Sequence, residues 1–194
     1  MVLEVAETKV IGIGGVARVG KDTLCSEIIH FLSLNNIEAQ RIAFADELKK
    51  DLYEFLLAKT GLSVYTEIDS EKKLIRPTLV EYGKLMRSLS EGMYWIEKLQ
   101  PLITSNLKNN VVSIISDVRY KNEAKWVNSI SGGVSIHIRR SGILPANEEE
   151  SENDPLVCKH SRIKIDYPTL ETEKISNHTQ LYLNELYSNQ RIQR

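Results

Sequence analysis

The residues with the clearest chemical meaning form a glycine-rich run early in the chain. Residues 15–23 read Gly-Val-Ala-Arg-Val-Gly-Lys-Asp-Thr and contain the GxxxxGK pattern of a phosphate-binding loop. Glycines let the backbone approach phosphate oxygens, successive N–H groups form an anion nest, and Lys21 would reach the terminal phosphates. The run therefore predicts a nucleotide site, which consists of Gly15, Val16, Ala17, Arg18, Val19, Gly20, Lys21, Asp22 and Thr23.

Two carboxylates and a hydroxyl are candidates for holding Mg²⁺ beside that loop. In most such loops a Ser or Thr follows the lysine and supplies its hydroxyl to the metal, whereas here Asp22 follows Lys21 and Thr23 comes next. Asp117 follows the apolar run 111–115, where it would hold Mg²⁺ or its water, or orient an acceptor. Capping of a helix N-terminus is the alternative role for Asp117. The sequence thus predicts Asp22, Thr23 and Asp117 as metal-site residues without choosing between the first two.

Five arginines outside the loop could supply positive charge to a bound phosphate. Arg119 stands near the same strand end and would project into the ligand crevice. Arg76 and Arg87 are eleven residues apart, which places them about 16 Å apart on one side of a helix. Arg139 and Arg140 follow a predicted strand and could be the arginines of a closing lid, which neutralise a transferring group while closure excludes water. For all five, an ordinary solvated surface position is the alternative.

The histidines and cysteines are not predicted to be catalytic or metal-binding residues. His137 and His160 have no Ser/His/Asp or metal-ligand spacing around them, so a position in the core or on the surface is predicted. Cys25 and Cys158 lie far apart without a CxxC pattern, which is typical of reduced thiols in a cytoplasmic protein.

Short apolar runs alternate with helical repeats, which predicts a parallel α/β sheet with helices on both faces. Strands are predicted over residues 9–14, 39–45, 111–115 and 134–138. Ligands of such sheets bind at the carboxyl ends of the strands. The phosphate-binding loop follows the first strand and precedes a helical repeat, so its place in the chain agrees with that rule.

The helical repeats have recognisable ends. Asp46 predicts an N-cap for a helix that Gly61 ends, and Pro77 predicts the first turn of the next helix. Further helices are predicted over residues 94–107 and 122–130, and a last one from Leu181, Leu183, Leu186 and Tyr187. Residues 62–75 and 145–155 are expected to be polar and mobile.

Length and composition exclude several classes of protein. The 194 residues are 42% hydrophobic and 26% charged, which is typical of one globular domain. The 25 Lys and Arg residues nearly balance 26 Asp and Glu residues, and this net charge of −1 disfavours the coating of nucleic acid. No apolar run approaches the roughly 20 residues of a membrane span, and no signal-peptide pattern is present, so a cytoplasmic protein without membrane contact is expected.

Four motifs together resemble the deoxynucleoside monophosphate (dNMP) kinases of bacteriophages. They are Gly20-Lys21-Asp22-Thr23, Phe44-Ala45-Asp46, Leu85-Met86-Arg87 with Trp95 after it, and residues 115–123, Ile-Ser-Asp-Val-Arg-Tyr-Lys-Asn-Glu. The resemblance spans about residues 9–187. It implies an α/β P-loop fold like that of adenylate kinase, a three-layer sandwich whose parallel sheet is flanked by helices. The implied organisation is a single kinase domain over 1–194, with a monophosphate-binding insertion at about 46–100 and a lid at about 139–160.

The same resemblance implies an activity and roles for particular residues. The activity is transfer of the γ-phosphoryl group of ATP·Mg²⁺ to a dNMP, giving dNDP and ADP, in the cytoplasm of a host cell. The implied catalytic residues are Lys21, Arg18, Asp117, Arg139 and Arg140. The implied monophosphate-side residues are Phe44, Arg76, Arg87, Trp95, Asp117 and Arg119. The family is compatible with a homodimer, and nothing else in the sequence points to one.

Two other functions fit the phosphate-binding loop. A P-loop kinase for another small acceptor, such as dephospho-coenzyme A or a phosphorylated alcohol, has a similar donor half. A nucleotide-dependent switch would hydrolyse ATP or GTP slowly without an acceptor, but the chain lacks the guanine-reading Asn-Lys-x-Asp motif. The sequence sets neither the base nor the choice of deoxyribose, for which the candidate contacts are Tyr65, Phe44, Tyr94 and Trp95.

Overall fold

The computed structural model describes residues 8–168, and these form five strands and six helices. In chain order they are β1 (Val10–Gly14), α1 (Lys21–Leu34), β2 (Ala39–Ile42), α2 (Phe44–Thr60), α3 (Asp69–Leu89), α4 (Tyr94–Lys108), β3 (Val112–Val118), α5 (Lys121–Ser129), β4 (Gly133–Arg140), α6 (Glu148–His160) and β5 (Ile163–Tyr167). None of the helices within 8–168 combines the length and apolar character that a membrane span requires. The predicted last helix, with Leu181, Leu183, Leu186 and Tyr187, lies outside the described residues.

The five strands form one parallel sheet in the order β2-β3-β1-β4-β5. This confirms the predicted α/β sandwich with a parallel sheet. Because β1 is the central strand, the loop that follows it emerges at the middle of the carboxyl edge. Parallel α/β sheets bind their ligands at that edge.

Alternation along β1 separates the two faces of the sheet. Ile11 and Ile13 point into a core shared with Leu24 and Ile28 of α1. The intervening Gly12 and Gly14 face α5 and α6, because a Cβ on Gly12 would lie 3.0 Å from Val127, and one on Gly14 would lie 2.7 Å from Val157. Helices therefore cover both faces of the central strand, and two of them pack directly on its glycines.

The chain divides into two compact units. The described parts of Met1–Ile42 and Ile103–Arg194 form the first, which contains the whole sheet. Ala43–Leu102 forms the second, which holds α2, α3 and most of α4. The second unit has its own apolar cluster, which consists of Leu52, Leu56, Val64, Leu48, Leu79 and Tyr82.

Two predicted boundaries near the start of α2 are wrong. The predicted strand 39–45 ends at Ile42, and Ala43 rather than Asp46 is the N-cap of α2. Asp46 lies in the first turn of that helix, where a carboxylate interacts favourably with the helix dipole. Gly61 does end α2, in the left-handed conformation that glycine adopts without strain.

The connection predicted over 62–75 is also partly wrong. Helix α3 begins at Asp69, so Pro77 lies inside it rather than in its first turn. Val64 is buried against the helices of the second unit. The charged residues of 69–75 lie on the more exposed side of α3. Because few apolar residues occur there, the sequence shows no helical repeat of apolar positions.

The acidic stretch 145–155 is another correction. Most of it belongs to α6, which begins at Glu148 after the N-cap Asn147. Three glutamates in its first turn, Glu148, Glu149 and Glu150, suit the positive end of the helix dipole. The acidic residues that predicted a solvated, mobile segment instead form the first turn of a helix.

Gly133 is required by the close turn between α5 and β4. Its amide donates to the Ile130 carbonyl at 2.8 Å, and an added Cβ would lie 1.9 Å from the Val127 carbonyl oxygen. Since backbone atoms cannot move aside as a flexible side chain can, Gly133→Ala is expected to lower the free energy of unfolding by about 3 kcal/mol.

Gly142→Ala is the matched control, because Gly142 has φ +82° but open space around its missing Cβ. Left-handed strain alone should cost it about 1 kcal/mol. Urea unfolding followed by circular dichroism measures both variants. Equal losses would contradict the steric role of Gly133.

Candidate nucleotide-binding site

The phosphate-binding loop (residues 15–23) is shaped by two glycines and anchored by two valines. Gly15 has φ +138°, and a Cβ there would lie 2.5 Å from the Ile138 carbonyl oxygen of the neighbouring strand. Gly20 caps α1 with φ 112°. Val16 and Val19 are buried in the core beneath the loop. The loop thus sits tightly on β4 and leads directly into the N-terminus of α1.

Lys21 folds back across this loop. Its Nζ donates to the carbonyl oxygens of Gly15 at 2.6 Å and Val16 at 2.7 Å. Burial lowers the pKa of Lys21, and the positive charge of Arg119 lowers it further. Negative charges act in the opposite direction, and they belong to Glu150, Asp22 and Asp117. Lys21 is therefore the centre of a group of charges that includes four predicted site residues and one that was not predicted.

Asp117 is positioned by an irregularity in the sheet. Between the pairs Gly12↔Ile115 and Gly14↔Val118, two steps of β1 match three steps of β3, so β3 bulges at Ser116 and Asp117. Bulges re-aim side chains and are common beside active sites. The bulge lies opposite the start of the phosphate-binding loop, which no sequence period could indicate.

The alternative role of Asp117 as a helix cap is wrong. Asp117 lies within β3, and the N-cap of α5 is Tyr120. The turn is held by the buried Glu123 instead, whose carboxylate accepts from the backbone N–H groups of Arg119 at 2.8 Å and Tyr120 at 3.1 Å. Glu123 thereby fixes the backbone that carries Arg119.

Glu150 is a site residue that sequence reasoning missed. Its Oε2 accepts hydrogen bonds from the backbone N–H of Ala17, at 3.2 Å, and from that of Ala146, at 2.9 Å. The backbone N–H of Glu150 in turn donates to the Asn147 side chain at 2.9 Å. The spacing Asn-x-x-Glu is the signal that could have found this helix start, because it matches a capping pair.

A second missed feature is the pair formed by His137 and Asp154. His137 is fully buried on β4, which confirms a core position, and its Nε2 lies 2.8 Å from Asp154 Oδ1. Its Nδ1 makes no hydrogen bond to any described residue. Asp154 is one helical turn after Glu150, so the pair holds α6 against the sheet just behind the loop.

The two predicted lid arginines lie in a strand. Both belong to β4, so their side chains alternate to opposite faces rather than pointing together from a loop. Arg139 Nε donates to Asp166 on β5 at 3.0 Å. The expectation that Arg139 and Arg140 follow the strand is wrong, and Arg139 is engaged by a neighbouring strand.

The predicted monophosphate-side residues of the second unit occupy varied environments. Arg76 is exposed and Arg87 is half-buried, and both lie on α3 as their spacing predicts. Phe44 is the buried first residue of α2. Trp95 is also buried, and its indole Nε1 donates to the Gly83 carbonyl at 3.2 Å. Trp95 thus contributes to packing within the unit.

Asp51 is the centre of a polar cluster in the same unit. One carboxylate oxygen accepts from Lys98 at 2.8 Å, and the other accepts from Tyr94 at 2.7 Å and Tyr82 at 3.4 Å. Burial acts to raise the pKa of Asp51, but the hydrogen bonds from Lys98 and Tyr94 outweigh it, so this pKa is lowered. Burial and the hydrogen bond with Tyr94 raise the pKa of Tyr82 to about 12. Tyr94, a candidate contact to the sugar, is therefore held by Asp51.

The donor set at the loop suits a metal that is already bound to phosphate. Among residues 8–168 no group of three or more His, Cys, Asp or Glu side chains could hold a metal ion by itself. Mg²⁺ with nucleotides usually takes one or two protein oxygens and completes its shell with phosphate and water. The carboxylates of Asp22 and Asp117 both act on Lys21, and Thr23 follows in the first turn of α1. These residues fit a phosphate-bound Mg²⁺ and not a metal cage made of protein alone.

Comparison with known proteins adds little to this geometry. No protein-family model and no curated protein matches the sequence. Among solved structures, the chain is similar to TT1252 from Thermus thermophilus, with 14% identity and a TM-score of 0.47 over 93% of this chain and 98% of that one.

The Asp51 cluster should make the second unit sensitive to acid. Because the folded pKa of Asp51 is below its ordinary value of 3.8, the stabilisation is complete above that value and is lost as the pH falls from there through the lower folded pKa. We expect Asp51→Asn to lower the free energy of unfolding by about 1–2 kcal/mol at pH 7, and to flatten its decline below about pH 4.

Asp166→Asn is the control, because it removes a carboxylate whose partner Arg139 is exposed. Its effect should stay below about 1 kcal/mol. Unfolding of both variants is measured in urea from pH 3 to pH 7. An Asp51→Asn variant with the same acid dependence as the unaltered protein would contradict the assignment.

Proposed function

We propose that this protein is an ATP-dependent kinase for deoxynucleoside monophosphates. The observation that carries the proposal is the loop with the sequence Gly20-Lys21-Asp22-Thr23, which lies at the carboxyl end of the central strand with Lys21 held across it. Arg119 and Asp117, from the other motif shared with phage dNMP kinases, act electrostatically on the same lysine. The two most specific motifs of the sequence are therefore parts of one site.

The phosphate-binding loop would hold the donor. In this proposal its backbone N–H groups and the N-terminus of α1 bind the phosphates of ATP, and Lys21 releases the loop carbonyls to contact the terminal phosphates. Arg18 is exposed on the loop with φ 62°, and its guanidinium would also contact the phosphates of ATP. Asp22, Thr23 and Asp117 would hold the Mg²⁺, which supplies charge neutralisation when bound.

The second unit would hold the acceptor. Arg76 and Arg87 would bind the monophosphate from α3, and Phe44 would contact the nucleoside. Trp95 and the Asp51 cluster would shape the pocket through packing and by orienting Tyr94. These roles carry the family resemblance onto side chains that the structure places in one compact unit.

The reaction needs no nucleophile from the protein. An oxygen of the acceptor monophosphate forms a bond to the γ-phosphorus while the bond from that phosphorus to the β–γ bridging oxygen breaks, which gives dNDP and ADP. Catalysis then consists of alignment and of stabilising charge on the equatorial oxygens. Lys21 and Arg119 are the cations of the first unit best placed for this, whereas Arg139 would have to leave Asp166 first.

The acceptor class is tested by measuring ADP formation with a coupled assay. The nucleotides are dAMP, dCMP, dGMP, dTMP and the four ribonucleotides, and dephospho-coenzyme A represents other acceptors. Stimulation by one or more dNMPs is expected. Stimulation by dephospho-coenzyme A alone would favour the other kinase, and slow ATP loss that no acceptor changes would favour a nucleotide-dependent switch.

Lys21→Ala should reduce dNMP-dependent ADP formation by at least about 10³-fold, because it removes the cation nearest to the transferring group. Lys108→Ala is the control, since Lys108 is exposed at the end of α4. It precedes the amino end of β3, whereas the phosphate-binding loop follows the carboxyl end of β1. Circular dichroism establishes that both variants fold. Normal turnover by Lys21→Ala would exclude the proposed site.

A further inference from the structure

The N–H group of Ala17 belongs to the anion nest of the phosphate-binding loop, and it already has an anionic acceptor from the protein. Glu150 Oε2 accepts from it at 3.2 Å. The same carboxylate is the leading negative charge acting on the pKa of Lys21. A carboxylate therefore makes two of the interactions that a phosphate would make, with a loop amide and with the loop lysine.

Glu150 is held in this place by its own helix. Its second hydrogen bond, from the Ala146 N–H at 2.9 Å, closes the turn that leads into α6. Asn147 caps the helix by accepting from the Glu150 N–H. Glu149, the residue before Glu150, accepts a hydrogen bond from the hydroxyl of Tyr120, which follows Arg119. The first turn of α6 is thus tied to both sides of the candidate site.

The rest of α6 is attached to the sheet independently of the loop. Asp154 pairs with the buried His137, and Val157 packs where a Cβ of Gly14 would stand. Positions 150, 154 and 157 follow the i, i+4, i+7 spacing of a single helix face. The second half of the helix therefore has contacts with the sheet that do not involve Glu150.

We propose that Glu150 is a built-in competitor for the phosphate site, whose carboxylate occupies the Ala17 amide in the ligand-free protein and is displaced when a polyphosphate binds. This inference rests on the proposed binding of nucleotide phosphates by the loop. One N–H donates one strong hydrogen bond, so Glu150 and a phosphate oxygen exclude each other there. Because Glu150 must be displaced first, the apparent affinity for the donor is reduced, and donor binding is coupled to movement of the first turn of α6.

The competition is tested by titrating the full-length protein with ATP and with inorganic tripolyphosphate in a calorimeter. Glu150→Ala should bind tripolyphosphate about 5–10-fold more tightly than the unaltered protein, because no carboxylate has to be displaced. Glu148→Ala removes the same charge from an exposed position of the same turn, and it should change the affinity less than twofold.

Glu150→Asp separates competition from general charge. It keeps the negative charge but shortens the side chain by one methylene, so the carboxylate no longer reaches the Ala17 amide. Affinity close to that of Glu150→Ala supports displacement, whereas affinity equal to that of the unaltered protein shows that charge alone matters and overturns the proposal.

Hydrogen exchange of the Ala17 amide gives a readout that needs no ligand. In the absence of nucleotide, Glu150→Ala should exchange this amide faster than Glu148→Ala does. Equal exchange in the two variants would overturn the proposal even if the kinase activity is found. If tripolyphosphate binds neither the unaltered protein nor any variant, both the competition and the proposed function are wrong. If binding is lost in Lys21→Ala but is the same with and without Glu150, only the competition is wrong.

Discussion

The close approach of helices to the glycines of β1 determines how the candidate site is built. A side chain at Gly14 would collide with Val157, so the absence of one lets α6 lie directly on the central strand. At that depth Asp154 reaches His137, and Glu150, one turn earlier, reaches the phosphate-binding loop. At Gly12, on the same face of β1, a similarly close approach positions α5, whose first turn contains the buried Glu123. The carboxylates that organise the site are thus placed by contacts made beneath it.

The candidate site also combines charges of both signs in a chain whose net charge is −1. One cation, Arg119, and three carboxylates, those of Glu150, Asp22 and Asp117, act on the charge of Lys21. The acidic segment was expected to lie apart from the site in a solvated loop, but Glu150 belongs to the site itself. In a folded protein without ligand, the loop amides need acceptors as much as the carboxylates need donors. The glutamate of α6 satisfies this requirement at Ala17.

Much of the first unit could be predicted from sequence because its signals are local. The β-branched run before the loop, the GxxxxGK spacing and the repeat of Leu24 and Ile28 each depend on neighbours in the chain, and all were confirmed as strand, loop and helix. Boundaries were lost where charge dominated, at α3 and α6, because exposed helix turns and loops have similar compositions. Pro77 and Asp46 were assigned by preferences that the packing of the second unit overrode.

Several contacts that shape the candidate site are ones that no local sequence pattern encodes. The bulge that re-aims Asp117 arises from the register between β1 and β3, whose residues are about one hundred positions apart. Glu150 meets Ala17, and Arg139 meets Asp166, only because the strand order brings β4, α6 and β5 to one side of the loop. A motif identifies the residues that can bind phosphate, but the sheet decides which charges stand beside them. In this protein the predicted lid residue Arg139 donates to Asp166, and Glu150 accepts from the loop at Ala17. The charges that act on the loop lysine therefore include an acid that the motif does not contain.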